Sequence, residues 1–190
     1  MPELALDRTT TALVVIDLQK GIAAQPTKPY SAQEVVRNAA FLVQAFRKNG
    51  MPVFLVHVVS TPETMLKVSS DQSFSRPLPL PADWSEFVPE IAPLPSDVVI
   101  GKKQWGAFYG TDLELQLRRR GIGMIVLCGI STDFGVESTA RFAYEYGFQQ
   151  VFAEDAMASM SAEGHNAAVT FIFPRMGRVR KTGEILRAIG

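Results

Sequence analysis

The run ALVVI at residues 12–16, closed by Asp17, decides the fold. It is short, apolar and rich in β-branched residues, the pattern of a strand buried on both faces. A second such run, PVFLVHVV, occupies residues 52–59. Between them Ser31 and Glu34 have the spacing of a capping box, and Val35, Ala39, Leu42, Val43 and Phe46 recur at helical spacing until Asn49 and Gly50 stop the pattern. Strand, helix and strand in that order demand a parallel crossover, so the sheet is of the α/β kind.

The same alternation continues outward along the chain. DVVIG (97–101) is a third strand, and Thr111 with Glu114 predicts a capped helix through Leu113 and Leu117 to Arg120, with Gly121 as its stop. GMIVLCG (123–129) is a fourth strand, followed by a helix over 132–146 that carries Val136, Ala140, Ala143 and Tyr144 and ends at Gly147. QVFAED (150–155) is a fifth strand, a helix from about Ser161 to Phe173 is ended by Pro174, GRVRK supplies a sixth short strand, and residues 182–189 form a last helix. The expected architecture is a three-layer, doubly wound, mostly parallel six-stranded α/β sheet with helices on both faces, in one domain spanning residues 1–190. Seven of the twelve prolines fall between residues 62 and 95. A stretch that long without periodicity suggests a lid, an oligomer arm or a pocket wall, with Asp83 and Glu86 capping a short helix in it.

Composition bounds the partners. The 190 residues are 47% apolar and 20% charged, as in an ordinary globular protein. Nineteen basic residues balance nineteen acidic ones, so no general positive field favours nucleic acid, and none is expected as a partner. One cysteine, Cys128, excludes an internal disulfide framework, and two histidines make a multi-histidine metal cage improbable. Apolar runs are strand-length and the start has no basic-then-hydrophobic segment, so the expectation is a cytoplasmic protein with no membrane partner.

In a doubly wound sheet the crevice lies beyond the carboxyl ends of the strands. That singles out Asp17, His57 to Ser60, Gly101 to Lys103, Gly129 to Asp133, and Asp155. No G-x-G-x-x-G follows the first strand and no Walker A motif accompanies it, which weakens a phosphate cradle. Ser131, Asp155 and His165 follow in triad order, but the nucleophile-elbow pattern lacks its final glycine, Asp133 standing there. Asp17 reads either as a general acid or base, its pKa raised by partial burial, or as a turn-capping carboxylate. Lys102 or Lys103 either projects an ammonium into the crevice or belongs to a solvated face. Trp105, Phe108 and Tyr109 either wall a pocket, Trp105 foremost, or pack the start of the next helix. Cys128 and His57 read as packing residues, and Arg175, Arg178, Arg180 and Lys181 as solvated surface or an interface edge.

Three segments, TALVVIDLQKG (11–21), VIGKKQWGAFYGTDLELQLRRRGI (99–122) and VLCGISTDFGVESTARFAYEYGF (126–148) followed by EDA (154–156), together resemble the isochorismatase-like hydrolase superfamily, the cysteine hydrolases. The resemblance implies a dimer or tetramer that hydrolyses amide, imide or vinyl-ether bonds without a cofactor. Members carry an Asp, Lys, Cys triad, which the resemblance places at Asp17, Lys102 and Gly135. The nucleophile is therefore missing, and Cys128, inside a strand, does not replace it. The likeness further implies a cis peptide between Ile130 and Ser131, with the backbone N–H groups of Ser131 and Gly135 as anion-stabilising donors. Some amidase members hold zinc through an Asp-x-His pair, which this chain lacks, so no metal is expected.

These readings converge on a small-molecule hydrolase in which Asp17 is the general acid, Lys102 its electrostatic partner, and Trp105, Phe108 and Phe134 the pocket walls. The substrate class is a vinyl ether or a related small anion. The alternatives are a non-catalytic small-molecule binder, descended from an amidase, and an amidohydrolase that activates water.

Overall fold

β1 (Thr11–Ile16) lies inside a six-stranded sheet with β2 (Val53–Val58), β3 (Val98–Lys102), β4 (Met124–Ile130), β5 (Gln149–Ala158) and β6 (Arg178–Arg180), in the order β3-β2-β1-β4-β5-β6. Every pairing is parallel. The structure, a computed structural model, describes residues 4–59, 61, 63–64, 68–71 and 79–190. Ser60 and part of the Pro-rich stretch lie outside the described residues.

The strand order reverses between β1 and β4, so the crossovers from β1 run one way and those from β4 the other. Helices therefore cover both faces, and a crevice opens at the carboxyl ends where the two directions part. Alternate residues of β1 serve opposite layers. Leu13 and Val15 join a core with Val35, Leu42 and Phe46 of α2 (Ala32–Lys48, after the short α1, Lys20–Ala23). Val14 and Ile16 join a second core with Leu113 and Leu117 of α3 (Leu113–Arg119) and Ala140 and Ala143 of α4 (Glu137–Glu145). Both faces of the strand are thus dry, which is why its sequence shows a continuous apolar run. α5 (Ala162–Ala167), α6 (Phe173–Met176) and α7 (Thr182–Ile189) complete the two layers.

The capping box of α2 forms as expected: Glu34 N–H donates to Ser31 Oγ at 3.3 Å, and Ser31 N–H donates to Glu34 Oε2 at 2.9 Å. The one expected on Thr111 does not. Its hydroxyl donates to Ala107 O at 2.5 Å and accepts from Leu113 N–H at 3.2 Å, which closes the preceding turn and delays the helix to Leu113. Asp83 and Glu86 cap no helix either; both are drawn to Lys20 Nζ, at 3.0 and 2.8 Å.

Two further boundaries depart from the sequence pattern. β5 runs on past Asp155 to Ala158, because a register shift opposite Cys128 lets Met157 and Ala158 resume pairing with Gly129 and Ile130. Pro174 does not end its helix. A π-helical stretch over Ala168–Ile172 offsets the hydrogen bonding, so Pro174 enters at the first turn of α6, where its missing N–H costs nothing.

Candidate active site

Asp17 follows β1 directly and is the one non-glycine with positive φ (53°) among the described residues. The left-handed region costs an L-residue about 1–2 kcal/mol, so the surroundings must impose it. One restraint is its own N–H, which donates to Val56 O at 2.9 Å. The side chain is turned inward, and its Oδ2 meets Lys102 Nζ at 2.7 Å, the two side chains being 6% and 1% exposed. Lys102 ends β3, two strands away, and its long stem crosses the apolar carboxyl edge of the sheet to reach Asp17. Its ammonium also donates to Trp105 O.

The turn after β4 closes over this pair. Gly129 has φ 124°, and a Cβ there would fall 2.0 Å from Ile16 O, so only glycine lets β4 pass β1 this closely. The Ile130–Ser131 peptide is cis. A π-helical turn, Thr132–Val136, then leads into α4 and brings Gly135 face to face with the pair. A Cβ on Gly135 would lie 3.1 Å from Asp17 Oδ2, 3.3 Å from Lys102 Nζ and 3.0 Å from Ile16 Cγ2. Gly135 O accepts from the Thr139 hydroxyl at 2.7 Å, and that hydroxyl in turn accepts from Ala107 N–H at 3.1 Å, tying the turn to the loop after β3.

Of the aromatic residues singled out in the sequence, Trp105 is 55% exposed and meets Phe134 edge-on, ring centroids 4.8 Å apart, above the turn. Phe108 is instead buried in the core against Phe148 and Tyr146, and Tyr109 points to solvent. Lys103 is exposed. His57 Nδ1 lies 2.7 Å from Ser85 O, and its ring stacks on Phe87. Cys128 is fully buried, and burial pushes its thiol up to about 12, the state of an inert packing residue.

Ser131, Asp155 and His165 do not meet. The Ser131 hydroxyl donates to Asp133 Oδ1 at 2.5 Å, whereas Asp155 Oδ1 accepts from Thr182 N–H and its hydroxyl at 2.6 and 2.7 Å, at the start of α7. Lys181 is not simply solvated: it pairs with Glu154 and donates to Tyr30 Oη at 2.7 Å. Among the described residues no group of three or more His, Cys, Asp or Glu is placed to hold a metal ion. Among the described residues no helix is long and apolar enough to cross a membrane.

Sequence reasoning passed over Gln19. Fully buried beside Asp17, it accepts from Val58 N–H at 2.8 Å and donates to Trp84 O at 3.1 Å. Main-chain bonds from Lys20 to Glu86, Gly21 to Trp84 and Val88 to Leu18 fasten the end of the Pro-rich stretch along the same turn. A polar residue one turn after a buried strand was the available signal, but no periodicity marks its partner segment.

What the arrangement offers chemically is a carboxylate and an ammonium in contact, shielded from bulk water, under a backbone turn at the switch point of a parallel sheet. Known proteins share the sequence pattern and the fold. Residues 11–184 match the isochorismatase domain model. The chain is 52% identical to the isochorismatase family protein YecD of Escherichia coli O157:H7 over 98% of its length and 100% of that protein. It is 49% identical to the isochorismatase family protein YwoC of Bacillus subtilis, over 100% and 99%. An isochorismatase family protein from Burkholderia thailandensis superposes with a TM-score of 0.91 at 46% identity, covering 97% of each chain. The chain belongs to the isochorismatase family of hydrolases.

Proposed function

We propose that this family member hydrolyses without a cysteine nucleophile, acting on a vinyl ether or related small anion by acid catalysis from Asp17. The observation that carries the reading is the position of Gly135. The place where its Cβ would project lies within 3.3 Å of both Asp17 Oδ2 and Lys102 Nζ, the pair that the family triad would serve, and no side chain stands there. Covalent attack on a carbonyl needs an activated nucleophile, and a glycine supplies none. Protonation of an enol-ether carbon needs only an acid held against the double bond.

The chemistry closes on Asp17 alone. Its protonated carboxyl delivers a proton to the terminal vinyl carbon, and the ether oxygen stabilises the resulting oxocarbenium. Water adds to the cationic carbon and gives its proton back to the Asp17 carboxylate. The hemiketal then collapses to a ketone and an alcohol. Burial favours the acid form of Asp17, and the Lys102 ammonium 2.7 Å away opposes it. Once Asp17 has given its proton away, the same ammonium stabilises the carboxylate left behind. The backbone N–H groups of Ser131 and Gly135, in the first turn of their helix, serve as donors to an anionic substituent of the substrate. Trp105 and Phe134 wall the mouth.

The test is turnover of isochorismate and related enol-pyruvyl ethers by the parent and by Asp17→Asn. Turnover by the parent that falls at least about 100-fold in the variant supports the reading. Turnover indifferent to the substitution defeats it. Gly135→Cys separates the alternative, because a gain of amidase activity identifies a protein whose pocket descends from an amidase.

A further inference from the structure

Thr132 and His165 are both fully buried, and neither has a part in the chemistry above. Thr132 Oγ1 lies 2.9 Å from His165 Nδ1, linking the π-helical turn to α5. The other ring nitrogen, Nε2, faces Glu154 Oε1 of β5 at 3.6 Å. That same oxygen accepts from Tyr30 Oη at 2.8 Å, and Lys181 pairs with the second carboxylate oxygen. The Tyr30 ring also meets the His165 ring edge-on, centroids 6.0 Å apart.

Direction follows from charge. Burial would raise the Glu154 carboxyl, but the His165 ring facing it at 3.6 Å, the Lys181 ammonium and the Tyr30 hydroxyl outweigh it and hold the group down at about 2, so it is a carboxylate at neutral pH. A carboxylate opposite Nε2 selects the tautomer protonated there, which leaves Nδ1 as an acceptor. The Thr132 hydroxyl therefore donates to His165, and the donors run in one sense, from the turn through the imidazole to Glu154. The next residue is fixed as well. Asp133 Oδ1 accepts from Ser131 and Ser159, both at 2.5 Å, and its Oδ2 sits where a Cβ on Gly164 would be, 2.1 Å away.

We infer that Thr132, His165 and Glu154 form a buried chain that positions the turn carrying Gly135 over the Asp17–Lys102 pair, with His165 as the positioning residue. Its importance for catalysis rests on the proposed function, but its effect on the turn does not. A chain of three polar residues with no exposed member on the turn side sets the height of residues 132–136 above the sheet. Thr132 is three residues from Gly135, so a shift at the hydroxyl moves the backbone that closes the site.

Amide hydrogen exchange tests this without a substrate, using the full chain. Phe134 and Val136, whose N–H groups donate to Ser131 O at 3.4 and 3.1 Å, report on the turn. Thr132→Val and His165→Phe should each speed exchange there about ten-fold, the value of one neutral hydrogen bond, with no further gain in the double variant. Thr132→Ser, which keeps the hydroxyl, should stay within about two-fold of the parent, and amides of β1 and β2 should be unmoved. Exchange at the turn unchanged in Thr132→Val, or raised equally across the sheet, overturns the inference. Should the buried variants not fold, Lys181→Met at the exposed end decides: about three-fold faster exchange at the same two amides supports the chain, and no change refutes it. A protein inactive on enol ethers leaves this result standing, so the two readings fail separately.

Discussion

Asp17–Lys102 and Glu154–Lys181 are both carboxylate–ammonium pairs anchored at the sheet, but the Lys102 side chain is 1% exposed and that of Lys181 54%. The carboxylates differ as much as the lysines. Glu154 sits where β5 shifts register and spreads its charge over Lys181, Tyr30 and His165. Asp17 is held at φ 53° against Lys102, with Ile16 and Gly135 close by. The lesson is that similar charges do different work according to their surroundings. The many-partnered pair ties strand, helix and loop together, and the enclosed pair is held out of bulk water at the carboxyl ends of the strands.

The strongest way to break this contrast is to remove one partner from each pair. Lys102→Met leaves the Asp17 charge enclosed and should cost about 3–5 kcal/mol by urea denaturation at pH 7, against at most about 1 kcal/mol for Lys181→Met. Equal losses would erase the distinction. The second test is acidity. The Glu154 carboxyl is lowered from 4.5 to about 2, so its contribution is complete above about pH 4.5 and drains away as pH falls toward 2. The stability gap between parent and Glu154→Gln should therefore shrink by at most about 3 kcal/mol between pH 5 and pH 2. A gap that does not vary with pH would show that the carboxylate is not held ionised by its partners.

Smaller effects sharpen the picture of the enclosed pair. Gly135→Ala places its methyl 3.0 Å from Ile16 Cγ2, and a shift of a few tenths of an ångström accommodates it at about 1 kcal/mol in thermal or urea unfolding. Enol-ether turnover should fall much further than stability does, since the methyl occupies the space above Asp17 and Lys102. The smallest effect belongs to Cys128. With its thiol raised to about 12 by burial, it should take up no iodoacetamide at pH 8 in the folded protein and react fully in denaturant. Labelling of the native protein would mean that the centre of β4 opens readily.

The sequence made the sheet legible because its central strands are buried on both faces, so ALVVI and PVFLVHVV stand out as unbroken apolar runs. Local chemistry was legible where a side chain acts on its own backbone, as Ser31 and Glu34 do, and failed where a tertiary partner competes. Asp83 and Glu86 have the spacing of a helix start, yet both answer to Lys20, more than sixty residues away. Pro174 looks like a terminator until a π-helical stretch shifts the hydrogen bonds beneath it. In the site, the strand-end rule singled out Asp17 because it depends on topology alone, while the choice of Lys102 over Lys103 came from the family resemblance. The rule passed over Gln19, Glu154 and His165, whose partners are brought together only by packing and follow no sequence period.

The strand order has one more consequence, for the way the protein is made. Asp17 and Lys102 belong to the first three strands, and Gly135 follows the fourth, which inserts next to the first. A chain emerging from the ribosome therefore holds an incomplete first layer, with one flank of β1 open, until some thirty residues beyond Lys102 have been synthesised. Neither half of the polypeptide brings Asp17, Lys102 and Gly135 together by itself, so a truncated product lacks the assembled cluster.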